Sequence, residues 1–314
     1  MTALRCLGLD TSNYTTSAAL FDGAEVCGLG RLLEVPPGTL GLRQSDALFQ
    51  HVKRLPELLD QLREEGRLAG LAAVGASVKP RWVEGSYMPC FLAGESLGRC
   101  LADALGIPFF PCSHQQGHIA AAAWSAGRPD LLDRPCLAWH LSGGTTELLY
   151  VTPEGRGVRA EKIGGASDLS AGQLIDRTGK LLGLDFPAGK ALDALAGEAG
   201  PGEGFRVKTQ GLAFSLSGVE NQVRTLAGRA EPAQVARFAL STVADVVRRV
   251  TQAALEERPG LPVLCSGGVA SNRILRAELT AACGAVFAPP QYSADNALGV
   301  AVLAHRALTE GREA

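Results

Sequence analysis

Apolar residues in this chain switch between a spacing of two and a spacing near 3.6. Residues 5–21 (RCLGLDTSNYTTSAALF) read as an apolar strand, a polar turn rich in Ser and Thr, and a second apolar strand. Residues 137–151 (LAWHLSGGTTELLYV) repeat that layout. Sliding one segment over the other by 130 positions superposes Ser12 on Ser142, Thr15 on Thr145 and Thr16 on Thr146, which suggests an internal duplication. Between them, residues 47–64 carry Leu48, Val52, Leu55, Leu58, Leu59 and Leu62 at helical spacing, with a kink or break expected at Pro56. Residues 70–78 and 107–111 read as short strands, with residues 94–105 as the helix between them. Beyond the second hairpin, residues 170–182, 235–257 and 272–282 read as helices, residues 262–265 as a strand and 266–270 as a turn. Strands alternating with helices predict an α/β architecture.

The length of 314 residues favours two packed lobes. With 46% hydrophobic and 20% charged residues, the chain can bury a sizeable core, which excludes a disordered polymer. A formal charge of -2 gives no overall basic surface, so any nucleic-acid contact is local or shared with a partner. The 8 cysteines form no C-x-x-C pair, so neither a zinc ribbon nor a disulfide framework is signalled, and buried thiols of a cytoplasmic protein are expected. No run reaches the roughly 18 to 20 apolar residues of a membrane helix, and no signal peptide is read at the N-terminus. A soluble, cytoplasmic protein is the expectation.

Several segments could carry chemistry. In CSHQQGHIAAAA, His114 and His118 lie four residues apart and project from one helix face, a spacing at which two imidazoles can hold one metal ion. Two ordinary helix histidines read equally well. A zincin would place Glu after the first His, where Gln115 stands, so metalloprotease chemistry is poorly supported. In LSGGTTE, two turn glycines let backbone amides approach an anion, although a plain Gly-rich hairpin fits as well. CSGGVASNR sets a Gly-rich turn between a strand and a helix, a ready anion or nucleotide site, with Asn272 and Arg273 added. GQLIDRTGKLLGLDFPAG fails the spacing of a Walker A loop. In SADN, Asp295 reads as a helix N-cap or a third metal ligand.

The series HQQGH, LSGGTTEL, GQLIDRTGKLLGLDFPAG, AFSLSGVENQ, SGGVASNRILR and SADN resembles the TsaD/Kae1/Gcp family. These are the tRNA threonylcarbamoyladenosine synthases, once described as glycoprotein endopeptidases. The resemblance runs from about residue 108 to 304, and LGLDTSNYTTSAAL is similar to the family's first strand and turn. It implies a duplicated two-lobe fold of the actin, sugar kinase and Hsp70 (ASKHA) superfamily around a central nucleotide and metal cleft. The lobes are expected at residues 1–108 and 109–314, the second carrying the metal helix and nucleotide loops, with the last helix packing back on the first.

The resemblance implies one divalent metal ion, iron or zinc, held by His114, His118 and Asp295. It implies an adenine nucleotide, ATP or threonylcarbamoyl-AMP, at Leu141, Ser142, Gly143, Gly144, Thr145, Asp176, Gly189 and Asn272. The implied reaction moves threonylcarbamoyl from its adenylate to N6 of adenosine 37 of tRNA, or is a closely related carbamoyl-type transfer. TsaB-like and TsaE-like partners and tRNA are implied, with no membrane and no DNA. The chain departs from the family pattern at Tyr14, Gln116, Thr145 and Gln173, and Asp10-Thr11-Ser12-Asn13-Tyr14-Thr15-Thr16 replaces E-T-S-C-D-E-T. Those departures point to a divergent paralogue. The alternative is a non-catalytic, nucleotide-binding scaffold subunit; a sugar-kinase-like phosphotransferase has no use for the paired histidines.

Overall fold

A computed structural model describes residues 4–12, 14–35, 42–292 and 297–310. Its strands are β1 (Arg5–Ser12), β2 (Thr15–Phe21), β3 (Val26–Leu32), β4 (Leu71–Lys79), β5 (Phe109–Ser113), β6 (Cys136–Leu141), β7 (Thr146–Glu154), β8 (Gly157–Ala166), β9 (Thr209–Gln210), β10 (Ala213–Phe214), β11 (Val263–Ser266) and β12 (Val286–Phe287). Its helices are α1 (Gln44–Glu64), α2 (Phe91–Leu105), α3 (His114–Ser125), α4 (Ala171–Leu181), α5 (Gly189–Ala196), α6 (Ser217–Ala227), α7 (Pro232–Glu257), α8 (Arg273–Cys283) and α9 (Ala297–Glu310). Two compact units emerge. One comprises Met1–Asp133, Thr152–Ala160 and Ala294–Ala314, the other Arg134–Val151 and Glu161–Ser293. The division read from the sequence after residue 108 falls inside the first unit, because β5 pairs in parallel with β4 and brings α3 with it.

One sheet runs β3-β2-β1-β4-β5 and the other β12-β11-β6-β7-β8-β10-β9. Read backwards from β8, the second sheet repeats the order of the first: β8-β7-β6-β11-β12 matches β3-β2-β1-β4-β5. In both of these orders, the fourth strand lies parallel to the third. The hairpin registers match as well, with Thr11 opposite Thr16 in one and Leu141 opposite Thr146 in the other. The duplication hinted at by three small polar residues is therefore one of strand order and register.

In the first unit the two-residue period of a strand sorts β1 and β4 onto two faces. Leu7, Leu9, Val74 and Ala76 pack with Leu55, Leu58 and Leu62 of α1. Each fully buried leucine contributes about 1.5–3 kcal/mol. Helix α1 continues through Pro56 without the expected break. The carbonyl that loses its bond to the proline belongs to Val52, an exposed residue where water can replace it. On the other face, Cys6 and Ala73 meet Ala304 of α9. Gly8 and Gly75 admit that helix: a Cβ on Gly8 would lie 2.5 Å from Ala301 N, and one on Gly75 3.0 Å from Ala304 Cβ. Since Gly8 stands opposite Gly75, the same alternation turns Asp10 and Ser77 toward the α9 side.

The second unit is built around the 26-residue helix α7, whose buried stripe includes Val235, Ala239, Val243, Val247, Val250 and Ala254. Trp139 on β6 is fully buried and donates from Nε1 to Thr251 Oγ1 at 2.8 Å, so its one polar atom is satisfied. Among the described residues, no helix is long and apolar enough to cross a membrane.

Candidate functional site

The paired histidines sit at the start of α3, which a capping box fixes. Ser113 Oγ accepts from Gln116 N at 3.2 Å, and Gln116 Oε1 accepts from Ser113 N at 2.8 Å. Gln116 Nε2 donates onward to Val158 O at 2.7 Å, so this buried amide is committed to holding the helix. His114 and His118 then lie one turn apart with ring centroids 4.6 Å apart at 70°. Phe91, buried at the start of α2, packs against His114 at 5.9 Å.

Asp10 reaches this pair from the end of β1. Its Oδ1 lies 3.0 Å from His114 Nδ1 and also accepts from Ser77 Oγ, while Oδ2 is buried with no hydrogen-bond partner among the described residues. Burial alone would raise the pKa of this carboxyl. The pairing with His114 and the hydrogen bond from Ser77 outweigh it and hold the group below the usual carboxylate range. Asp295, the third ligand the resemblance implies, falls within residues 293–296, outside the described residues. Among the described residues, no three His, Cys, Asp or Glu side chains are grouped to hold a metal ion. The two imidazoles do fit one in donor type and placement, as adjacent nitrogen ligands from a single helix face.

The glycine-rich candidates gather in the second unit. Leu141 ends β6, and the turn after it closes on itself: Ser142 N donates to Thr145 O at 2.8 Å and Thr145 N to Ser142 Oγ at 3.1 Å. Gly143 and Gly144 are exposed, with nothing within 4 Å of an added Cβ. Ser170, the N-cap of α4, accepts from Gln173 N at 3.1 Å and donates to Gly143 O at 2.6 Å. Gly172 follows so closely that a Cβ there would lie 2.5 Å from Gly143 Cα. On the other side, Gly267 has φ +93 and leaves room for the carbonyl of Leu141, whose carbon an added Cβ would approach to 2.5 Å. An open glycine turn beside a helix N-terminus is suited to an anion such as phosphate.

The remaining candidates have visible structural duties. Asp176 Oδ1 accepts from Ala188 N at 2.9 Å, which ties α4 to the start of α5, where Gly189 stands. Asn272 is the N-cap of α8. Its Oδ1 accepts from Leu275 N at 2.9 Å and its Nδ2 donates to Asp193 Oδ1 at 2.5 Å, so both ends of the amide are engaged within the fold. Asp193 also accepts from Arg273 Nε at 2.7 Å.

Sequence reasoning passed over Asp10, Ser77 and Asp193. Only for Asp10 was a signal present, as an acidic residue at the end of the first strand just before the hydroxyl-rich turn.

Solved structures share this fold at low identity. Component A of the (R)-2-hydroxyglutaryl-CoA dehydratase of Acidaminococcus fermentans is 18% identical with a TM-score of 0.57, over 98% of this chain and 100% of that one. The activator of the 2-hydroxyisocaproyl-CoA dehydratase from Clostridium difficile, with bound ADPNP, is 14% identical with a TM-score of 0.54, over 99% and 97%. Full-length HypF in its phosphate- and nucleotide-bound form is 14% identical with a TM-score of 0.60, over 98% of this chain and 55% of that chain. They establish the duplicated ASKHA fold. The family model for TsaD, tRNA N6-adenosine threonylcarbamoyltransferase, matches residues 41–302, a span that contains both histidines of α3 and every glycine turn described above. The chain belongs to the TsaD family.

Proposed function

We propose that this protein transfers a threonylcarbamoyl group from threonylcarbamoyl-adenylate to N6 of adenosine 37 of tRNA. The match of the tRNA N6-adenosine threonylcarbamoyltransferase model over residues 41–302 carries this reading. In the reaction the N6 amine attacks the carbamoyl carbon, the bond from that carbon to the phosphate oxygen breaks, AMP leaves, and one proton departs from N6. Leu141, Ser142, Gly143, Gly144 and Thr145 receive the nucleotide phosphate on their open turn, beside the N-terminus of α4. Asp176, Gly189 and Asn272 shape the neighbouring helix starts. His114 and His118, with Asp295, would hold a divalent metal ion. When bound, such an ion supplies Lewis acidity and a template for substrate oxygens. TsaB-like and TsaE-like partners complete the proposal.

A specific observation supports a second reading, a nucleotide-binding scaffold: the first hairpin turn carries Tyr14, Thr15 and Thr16 where the family pattern has acidic residues. One assay separates the two. Unmodified tRNA is incubated with this protein, threonylcarbamoyl-adenylate and the partner proteins, and its nucleosides are read by mass spectrometry. Threonylcarbamoyladenosine that appears with wild type and vanishes with His114→Ala is the expected result. Its absence, while an active family member works in parallel, refutes the transferase reading in favour of the scaffold.

A further inference from the structure

We infer that Asp10 is the positioning residue for His114: it holds the imidazole as the Nδ1–H tautomer, so that Nε2 is the nitrogen offered to a metal ion. The inference rests on the metal reading proposed above. The register that sets Gly8 opposite Gly75 places Asp10 and Ser77 side by side on the face that receives α9. Asp10 is 1% exposed there, and its Oδ1 lies 3.0 Å from His114 Nδ1.

The proton's location follows from the donor inventory. A carboxylate only accepts, and Ser77 Oγ already donates to the same Oδ1. The hydrogen between Oδ1 and Nδ1 therefore belongs to the histidine. A neutral imidazole with its proton on Nδ1 has its lone pair on Nε2, on the far side of the ring. Metal-ligating histidines are oriented in this way, with the second nitrogen donating to a carboxylate that fixes ring and tautomer. The ring is further confined by Phe91 at 5.9 Å and by His118 at 4.6 Å.

A role for Asp10 as a direct ligand fits less well. Among the described residues, Asp10, His114 and His118 do not form a group of three that could hold an ion, and Oδ1 is occupied by Nδ1 and Ser77. Asp10 belongs behind the ligand, on the buried side of the ring.

The test uses the full chain, freed of metal. Nitrogen-15 correlation spectra of wild type read the tautomer directly, and Zn²⁺ affinity is measured by competition with a chromogenic chelator at fixed pH. His114 of wild type is expected as Nδ1–H. Asp10→Asn, whose amide can donate to Nδ1, is expected to shift the ring toward Nε2–H and to weaken Zn²⁺ binding about 10–100-fold. An Nε2–H tautomer in wild type overturns the inference without any variant, so a variant that fails to fold cannot shelter it. Equal Zn²⁺ affinity in wild type and folded Asp10→Asn overturns it as well. If wild type binds Zn²⁺ and His114→Ala does not, the metal reading survives that loss. Wild type that takes up no Zn²⁺ refutes the metal reading and this inference with it.

Discussion

Replacing Gly299 by Ala adds one methyl group where α9 crosses α3, and the surroundings leave it no room. A Cβ on Gly299 would lie 2.6 Å from the carbonyl carbon of Gly117 and 2.8 Å from the backbone nitrogen of Ala121. Non-bonded carbon atoms rest at about 3.5 Å or beyond, so the helices must part by about 1 Å. Both obstructing atoms are backbone, and no rotamer change can relieve them. Around the crossing, α9 buries Ala297, Leu298, Val300, Ala301, Val302 and Ala304, and α3 buries Ile119, Ala120, Ala121 and Ala122, so separation opens packed apolar surface on both helices. Overpacking of this kind costs about 1–3 kcal/mol, and the rigid obstruction puts Gly299→Ala at about 3 kcal/mol. For a domain of this size that is a loss of roughly 6–12 °C in Tm. Calorimetry and urea unfolding of the full chain measure it, with Gly218→Ala as control. Gly218 lies in α6 with nothing within 4 Å of an added Cβ, and should leave stability within about 0.5 kcal/mol. A Gly299→Ala variant melting within a degree of wild type would refute the packing argument.

Other consequences are equally direct. His51 is fully buried with Nδ1 2.8 Å from Thr16 Oγ1, and burial holds its pKa down to about 4 although the Ser12 backbone and Asp10 pull upward. The unfolded chain binds a proton below about 6.5 that the folded chain refuses, so stability is full above that pH and falls by up to about 1.4 kcal/mol per unit on the way down to about 4. His51→Gln should flatten this slope in urea titrations, and parallel curves would disprove the assignment. Asp193→Ala strips partners from Asn272, which is 8% exposed, and from Arg273, and should lower stability by about 1–3 kcal/mol, seen as a lower urea midpoint at unchanged m. An unchanged midpoint would show that the cap holds without it. Gly144→Trp meets no obstruction at its Cβ in the open turn and should fold normally, yet weaken ATP binding in calorimetric titration at least tenfold; equal affinity would place the phosphate elsewhere.

How far the chain betrays this structure depends on the range of the interactions. The two hairpins and α7 are legible because alternation and helical spacing are local, and the histidine pair because four residues span one turn. Strand β3 is not, since an exposed edge strand of sequence VCGLGRL carries no buried alternation. Pro56 signals a break that tertiary packing of Leu55, Leu58 and Leu62 overrides. Asn272 stands before a helix in a Gly-rich turn, and the cap it makes to Leu275 N is not singled out by the sequence alone. Asp10 shows the limit most clearly, because its partners Ser77 and His114 are 67 and 104 residues away and are brought to it by strand register.

The contact of α9 with Gly8 and Gly75 also sets a timetable for synthesis. The strands of the β3-β2-β1-β4-β5 sheet have all been synthesised by residue 113, but the helix that covers one of their faces is made only from residue 297 onward. At 5–20 residues per second, that face waits on the order of ten seconds or longer for its cover. The unit translated first is therefore completed last, and a nascent chain halted before α9 leaves Cys6, Gly8, Ala73 and Gly75 open to solvent, chaperones or a neighbouring chain.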